Sequence, residues 1–316
     1  MGDKEKYIKL CHSNTDIPLF LRSYYLDAVG SDWNVIIYEK NNNVMAAMVY
    51  TIKNKFGIKY ISIPKMTQYS GIWIDYKNIT KNEKKLSLEE EVMSFFIKKL
   101  EGMKIDYYFQ SLSPKVNNYL PFYWNDFKQT TKYTLVIKNN KEENIWNDMT
   151  STLKNEIKKA SKSAKLFYDI DSELFYKYLC KTFERQDDIP RLSFKEFKNM
   201  DEWLLKNKCR FVIGAKDEND NIHSICYFVY DQEKVYYLMS GNDFNYRKSN
   251  YNSLLIWEGI KFAIENNLDF DFEGSMNKQI NSFMRKFGGS LVPYYCVSKI
   301  ITKNPLKKLL IKFKVR

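Results

Sequence analysis

Apolar positions recur along the chain in two rhythms, and those rhythms follow one another in the same order twice. A spacing of three and four predicts helices, and a spacing of two or a short apolar run bounded by turn residues predicts strands. In the first half, Pro18 to Val29 reads as a helix. The run Val35-Ile36-Ile37-Tyr38 reads as a strand that returns through the polar turn Asn41-Asn42-Asn43 into Val44 to Ile52. Ile58 to Ile63 continues as a strand. Leu88 to Leu100 is a helix, with Ser87 as its N-cap and Glu90 completing a capping box. Ile105 to Leu112 and Tyr133 to Ile137 are strands again.

The second half repeats the order. Helices over 151–162, 174–185 and 194–206 precede strands over 211–215, 222–230 and 235–240. These are separated by the turn-like Asp217-Glu218-Asn219-Asp220-Asn221 and Asp231-Gln232-Glu233-Lys234. A helix over 253–266, a strand over 268–273, a helix over 276–286 and a closing strand over 294–301 follow. Hairpins, a helix and a further strand, twice over, predict an α/β (mixed-sheet α+β) fold of two tandem domains. The division falls in the polar stretch Lys138 to Glu143, giving domains 1–138 and 139–302 and a tail 303–316.

Composition narrows this picture. At 316 residues, with 44% hydrophobic residues and only 11 Gly and 7 Pro, the chain is long enough for two packed cores and poor in linker. It holds no apolar run of roughly 18 residues, as a membrane helix needs, and no secretory leader is apparent at its start. The five cysteines are scattered and unpaired in spacing, and only His12 and His223 are there to join them, so neither disulfides nor a metal site is expected. The expectation is a soluble cytoplasmic protein. The net charge of +12 has two readings, an anionic partner or lysines spread over solvated faces. No RNA-binding module signature accompanies it, so no stable nucleic-acid partner is expected. The tail is different. Leu306, Leu309, Leu310 and Phe313 fall at helical spacing among lysines behind Pro305, fit either to rest on an anionic membrane surface or to pack on the domain.

Candidate chemistry concentrates between Asp269 and Gly289. Period-two alternation in Asp269-Phe270-Asp271-Phe272-Glu273 puts three carboxylates on one strand face, where they raise one another's pKa. Gly274-Ser275 ends the strand, Ser275 caps the next helix, and Gly288-Gly289 end that helix. A strand end meeting a helix start is the usual ligand position in α/β domains.

The run Asp271-Phe272-Glu273-Gly274-Ser275-Met276, followed by Ile280, Phe283 and Lys286-Phe287-Gly288-Gly289, resembles the C-terminal signature of FemAB-like proteins in the GNAT acyltransferase superfamily, relatives of the Fem peptidoglycan aminoacyltransferases. Further stretches match in order. They are the basic helix Leu153 to Lys162, Thr182-Phe183-Glu184-Arg185-Gln186, Ser240-Gly241-Asn242, Leu254 to Ala263 and, in the first half, Pro64 to Ile72.

The resemblance implies two fused GNAT-like domains and transfer of an acyl or aminoacyl group to an amine. The acceptor it implies is a cell-envelope precursor or sugar, and a membrane-linked precursor would put the enzyme at the inner face of the membrane. A carboxylate must take the amine's proton: Glu273 first, Asp271 second. Backbone amides near Gly241 or the Ser275 hydroxyl would steady the tetrahedral intermediate. Arg185, Arg247 and Lys286 are the cations for an anionic donor, either acyl-CoA or aminoacyl-tRNA. The superfamily's phosphate loop, Gln/Arg-x-x-Gly-x-Gly/Ala, corresponds to Arg247-Lys248-Ser249-Asn250-Tyr251-Asn252, with asparagine at both glycine positions. A non-catalytic GNAT-fold scaffold or an RNA-binding protein at the membrane surface is the alternative.

Overall fold

The computed structural model describes residues 2–30, 32–184 and 188–315, with side chains described as far as Phe313. The chain forms two compact units, residues 1–132 with 293–316, and residues 133–292.

The first unit opens with α1 (Asp3–Ser13), a 3-10 turn Leu19–Leu21 and α2 (Ser23–Ala28). The expected helix over 18–29 is therefore two short pieces, because Arg22 between them is extended (φ −69°, ψ 138°). Then come β1 (Trp33–Lys40), β2 (Asn43–Lys55), β3 (Ile58–Ser62), β4 (Gly71–Ile74), α3 (Asn82–Gly102), β5 (Tyr107–Ser111) and α4 (Leu120–Trp124). The β1–β2 turn is made by Asn41 and Asn42, both at positive φ (52° and 61°), a conformation asparagine tolerates. Helix α3 starts five residues before the expected Ser87 cap. Ser87 instead lies inside it and donates to Glu83 one turn back (2.9 Å), so the capping box is absent. Val92, Phe96 and Leu100 of α3 are buried on the sheet beside Ile36, Met48 and Ile61.

The second unit begins within β6 (Lys128–Ile137) and runs through α5 (Glu142–Asp148), α6 (Ser151–Ser163), β7 (Lys165–Phe167), α7 (Ser172–Glu184), α8 (Phe194–Lys206), β8 (Arg210–Lys216), β9 (Ile222–Tyr230), β10 (Lys234–Asn242), α9 (Tyr251–Glu265), β11 (Asp269–Asp271) and α10 (Lys278–Met284). β12 (Ser290–Ile300) then leads back to the first unit, where α11 (Pro305–Leu310) follows. The compact units thus part at residue 132/133, not at 138/139. Residues 293–302 join the first unit because Cys296–Ile300 pair antiparallel with Ser111–Tyr107 of β5. The tail also packs there, through the fully buried Ile311 and the Lys307–Asp106 ion pair (2.9 Å).

Both units follow one plan. Antiparallel strands come first (β1–β2–β3; β8–β9–β10), and a long helix then crosses over to a strand parallel to the last of them. β3 lies parallel to β5 across α3, and β10 lies parallel to β11 across α9. The tandem α/β expectation is met, and the crossovers explain it. A parallel neighbour needs a connection long enough to return to the same edge.

Candidate functional site

In the second unit, β10 and β11 are paired over only three residues, Lys234–Tyr236 against Asp269–Asp271. Beyond them the strands part. β10 passes through a bulge between Tyr237 and Met239 and runs on to Asn242, bonded to β9 alone. The chain after β11 turns away, because Glu273 and Gly274 both adopt left-handed backbone (φ 56° and 62°). Gly274 has no alternative: a Cβ there would overlap the Tyr133 carbonyl oxygen. The result is a wedge opening between two parallel strands at their carboxyl ends.

The expected row of three carboxylates therefore stops at Asp271. Asp269 bonds Lys138 Nζ (2.7 Å) and the Asn139 N–H (2.9 Å) near the surface. Asp271 is fully buried and saturated: Thr134 Oγ1 donates at 2.5 Å, the Glu273 N–H at 2.9 Å, and Lys234 Nζ at 3.1 Å. It anchors the turn, and its ion pair leaves it no part as a free base. Glu273 is the opposite case. One carboxyl oxygen is sealed from solvent without a hydrogen-bond partner among the described residues. Burial first, and the Asp271 charge second, push its pKa well above the usual carboxylate range, against the opposing pull of Arg191. Ser275 does not cap the helix; its hydroxyl accepts from the Asn277 N–H, and Asn277 is the cap, accepting from Gln279 and Ile280.

At the far end of β10 lies a cleft of about 280 Å³, walled by the β10–α9 turn, α7, β9 and Phe283 of α10. Three of the expected donor-binding residues, Arg247, Asn250 and Asn252, line it. Arg247 lies over the Phe244 ring (4.2 Å), is exposed, and has no carboxylate partner among the described residues. Asn250 holds the left-handed conformation (φ 59°) that a glycine would supply, so the first missing glycine is replaced in backbone geometry. The Asn252 side-chain oxygen is drawn inward, accepting from Cys226 Sγ (3.3 Å) and Tyr237 Oη (3.5 Å). The first residues of α9, a 15-residue helix, line the cleft; their amides lack intrahelical acceptors, as at any helix start, and the Tyr251 N–H goes to Ser249 Oγ (3.4 Å).

The remaining expected residues fall elsewhere. Gly241 is buried because α7 presses on β10: a Cβ would meet the Leu179 amide nitrogen at 2.7 Å. Lys286 is half-buried outside the cleft, and its carbonyl accepts from Thr150. Arg185 lies outside the described residues.

The cleft also contains groups that the sequence did not single out. His223 is sandwiched between Tyr246 (4.0 Å, 7°) and Tyr251 (4.4 Å, 19°). Its Nε2 meets Asp217 (3.2 Å), and its Nδ1 is sealed without a partner among the described residues. Lys181 bonds Asp243 (2.5 Å), which raises the lysine's pKa. Burial would raise that of Asp243, but the lysine and the Asn245 amide outweigh it and hold the acid low. Thr182 Oγ1 takes the Asn242 N–H (2.8 Å). These residues come from α7, β9 and the turn after β10, far apart in sequence. The only advance signal was that His223 is one of two histidines in the chain. Among the described residues, no group of three His, Cys, Asp or Glu stands ready to hold a metal ion.

No protein-family model matches this sequence, and no curated protein resembles it closely enough to register. Solved structures do match. A tandem GNAT protein of the clavulanic acid pathway superposes with TM-score 0.53 at 6% identity, over 96% of this chain and 97% of its own. Two fused GNAT-like domains are therefore the class of fold. Its variety is FemAB-like. The structure of FemX superposes with TM-score 0.72 at 13% identity over 98% of both chains. The C-terminal domain of a putative lysylphosphatidylglycerol synthetase from Agrobacterium fabrum superposes with 0.58 at 10%, over 96% of this chain and 95% of its own. At these identities the likeness is one of fold.

Proposed function

We propose that this protein is an acyl- or aminoacyltransferase that acylates an amine of a cell-envelope precursor or sugar. The carrying observation is the layout of the β10–β11 wedge. A cleft at the α9 start, lined by the carboxylate-free Arg247, lies at the far end of β10, and a carboxyl of raised pKa lies just past the end of β11, the strand paired with the start of β10. The run of β10 beyond the pairing, Tyr237 to Asn242, spans roughly 17 Å at the usual strand rise, room for a donor lying lengthwise.

The first amides of α9 and the Arg247 guanidinium hold the donor's phosphates. The reactive carbonyl then points along β10 toward the wedge. Glu273 takes a proton from the acceptor's ammonium group, and the freed nitrogen pair attacks the carbonyl carbon. The tetrahedral intermediate collapses with loss of the donor's thiol, or of its ribose hydroxyl, and the leaving oxygen or sulfur ends protonated. β10 amides between Tyr236 and Asn242, whose own N–H goes to Thr182, are the donors suited to the oxyanion. Either acyl-CoA or aminoacyl-tRNA presents the phosphates this cleft fits. Fold likeness to FemX and to a lysylphosphatidylglycerol synthetase domain supports an envelope acceptor.

The test is transfer of labelled acyl group from each donor class to a panel of amines. Turnover with one class, lost in Glu273→Gln, supports the reading. Inertness with both classes, or turnover indifferent to Glu273→Gln, defeats it.

A further inference from the structure

The first unit carries a surface unrelated to the cleft. α11 and the residues after it turn one side inward, with Ile311 fully buried against Ile58 and Tyr107. The other side is bare. Leu306 is 71% exposed, Leu309 55% and Phe313 79%, at the i, i+3, i+7 spacing of one helical stripe. The β2–β3 hairpin ends in the same small core, because Ile58 sits at its base, and its tip presents Phe56, 57% exposed. Asp106 ties the two elements together. Its carboxylate accepts from Lys307 Nζ (2.9 Å) and from the Lys59 N–H (2.9 Å), one on each element.

Charge surrounds these apolar tips. Lys55, Lys59, Lys303, Lys308 and Lys312 are all exposed, and neither 53–59 nor 303–313 contains a carboxylate. Exposed apolar side chains ringed by unopposed lysines fit a surface that is apolar just beneath an anionic layer. A protein partner would need shape and fixed counter-charges, whereas leucine and phenylalanine tips separated by exposed lysines need only depth and negative potential. No helix among the described residues is long and apolar enough to cross a membrane, so the fit is to lying on one.

We propose that the hairpin tip at Phe56 and the face Leu306–Leu309–Phe313 form one composite platform that seats the first unit on an anionic lipid bilayer. The platform goes beyond the transfer reaction and stands without it. It would bring the protein to acceptors dissolved in or tethered to that surface.

The experiment is co-sedimentation of the full chain with phosphatidylcholine vesicles, with and without phosphatidylglycerol, at low and high salt. The parent should pellet with the anionic vesicles at low salt and be released by high salt. Phe56→Glu alone, and Leu309→Glu with Phe313→Glu, should each weaken binding about tenfold or more. All replaced residues are exposed, so folding is retained, which circular dichroism verifies. Transfer to a small soluble amine should be unchanged in both variants, so failure of the platform and failure of the transferase reading are separable. The proposal is overturned if the parent stays in the supernatant with anionic vesicles, or if Phe56→Glu binds as the parent does. It is also overturned if the exposed stripe instead drives self-association that the same variants abolish.

Discussion

Two crossovers built to one plan differ in what they leave unpaired. In the first unit, β4 with the residues after it and the stretch after β5 line a cleft with an apolar floor, Ile72, Trp73, Ile74 and Val116. On its rim, Lys77 is paired with Asp16 at 3.3 Å. A buried glutamate, Glu89 on α3, takes the Tyr76 hydroxyl at 2.7 Å and keeps its second oxygen sealed, without a partner among the described residues. In the second unit the corresponding turn keeps an arginine without a carboxylate, a left-handed asparagine and a helix start, and the sealed carboxyl belongs to Glu273 at the strand end. The frame is shared, but among the described residues the second copy is the one that sets such a cation and an unbonded acid at the opening of a wedge. A fold match therefore speaks for both units, whereas the chemistry is read from one.

Exchanging those two glutamates for glutamine is the sharpest way to break the contrast. Glu273→Gln should lower turnover by about 10²- to 10⁴-fold, the usual worth of a general base. Glu89→Gln should leave turnover alone and register only in a melting curve. Equal losses would place the chemistry in neither unit specifically.

Next in size is the ion pair beneath the wedge. Asp271→Ala strands Lys234, which is mostly buried, and should cost about 3–5 kcal/mol in denaturant unfolding. The surface pair Lys77–Asp16 in the first unit should cost under about 1 kcal/mol when broken.

The glycines offer a third comparison. Gly274→Ala drives a Cβ into backbone at left-handed φ and should destabilise by about 2–4 kcal/mol. Gly71→Ala is also at positive φ (91°) and presses on the side-chain end of Gln110, which is buried and bonded to the Tyr108 hydroxyl and the Val49 carbonyl, so it should cost a similar amount, about 2–4 kcal/mol.

Donor affinity comes next. Arg247→Ala should raise the donor KM about tenfold with little change in kcat, and the effect should shrink with salt.

The last contrast is a pH signature. Glu273 has a folded pKa above its unfolded one, so the native state binds more protons between the two values. Stability should then fall as pH climbs from the ordinary carboxylate range through the raised pKa. Glu273→Gln should remove that decline, whose slope is about 1.4 kcal/mol for each pH step of one between the two values. A parallel pH profile for both proteins would show that Glu273 is solvated.

The repeat of rhythms was legible because α3, α9 and the hairpins bury long periodic faces. Helix α1 was missed because it buries only Tyr7 and Cys11, too few anchors to show a period. α5 was missed because its seven residues bury one side chain, Ile145. At the candidate site, Glu273 and Arg247 could be nominated from the sequence because each lies in a contiguous motif. The loss of alternation after Asp271 was not readable: it depends on Gly274 fitting against the carbonyl of Tyr133, which lies in another strand far back along the chain. His223, Lys181 and Asp243 converge only through sheet register and helix packing, which no local pattern records.

The contact of Gly241 with α7 has an evolutionary corollary. Since no side chain fits at that strand position, the glycine is what lets α7 lie this closely on β10. On the proposed function, changes of donor would be tuned not at residue 241 but from the facing turn of α7, where Lys181 and Thr182 line the cleft.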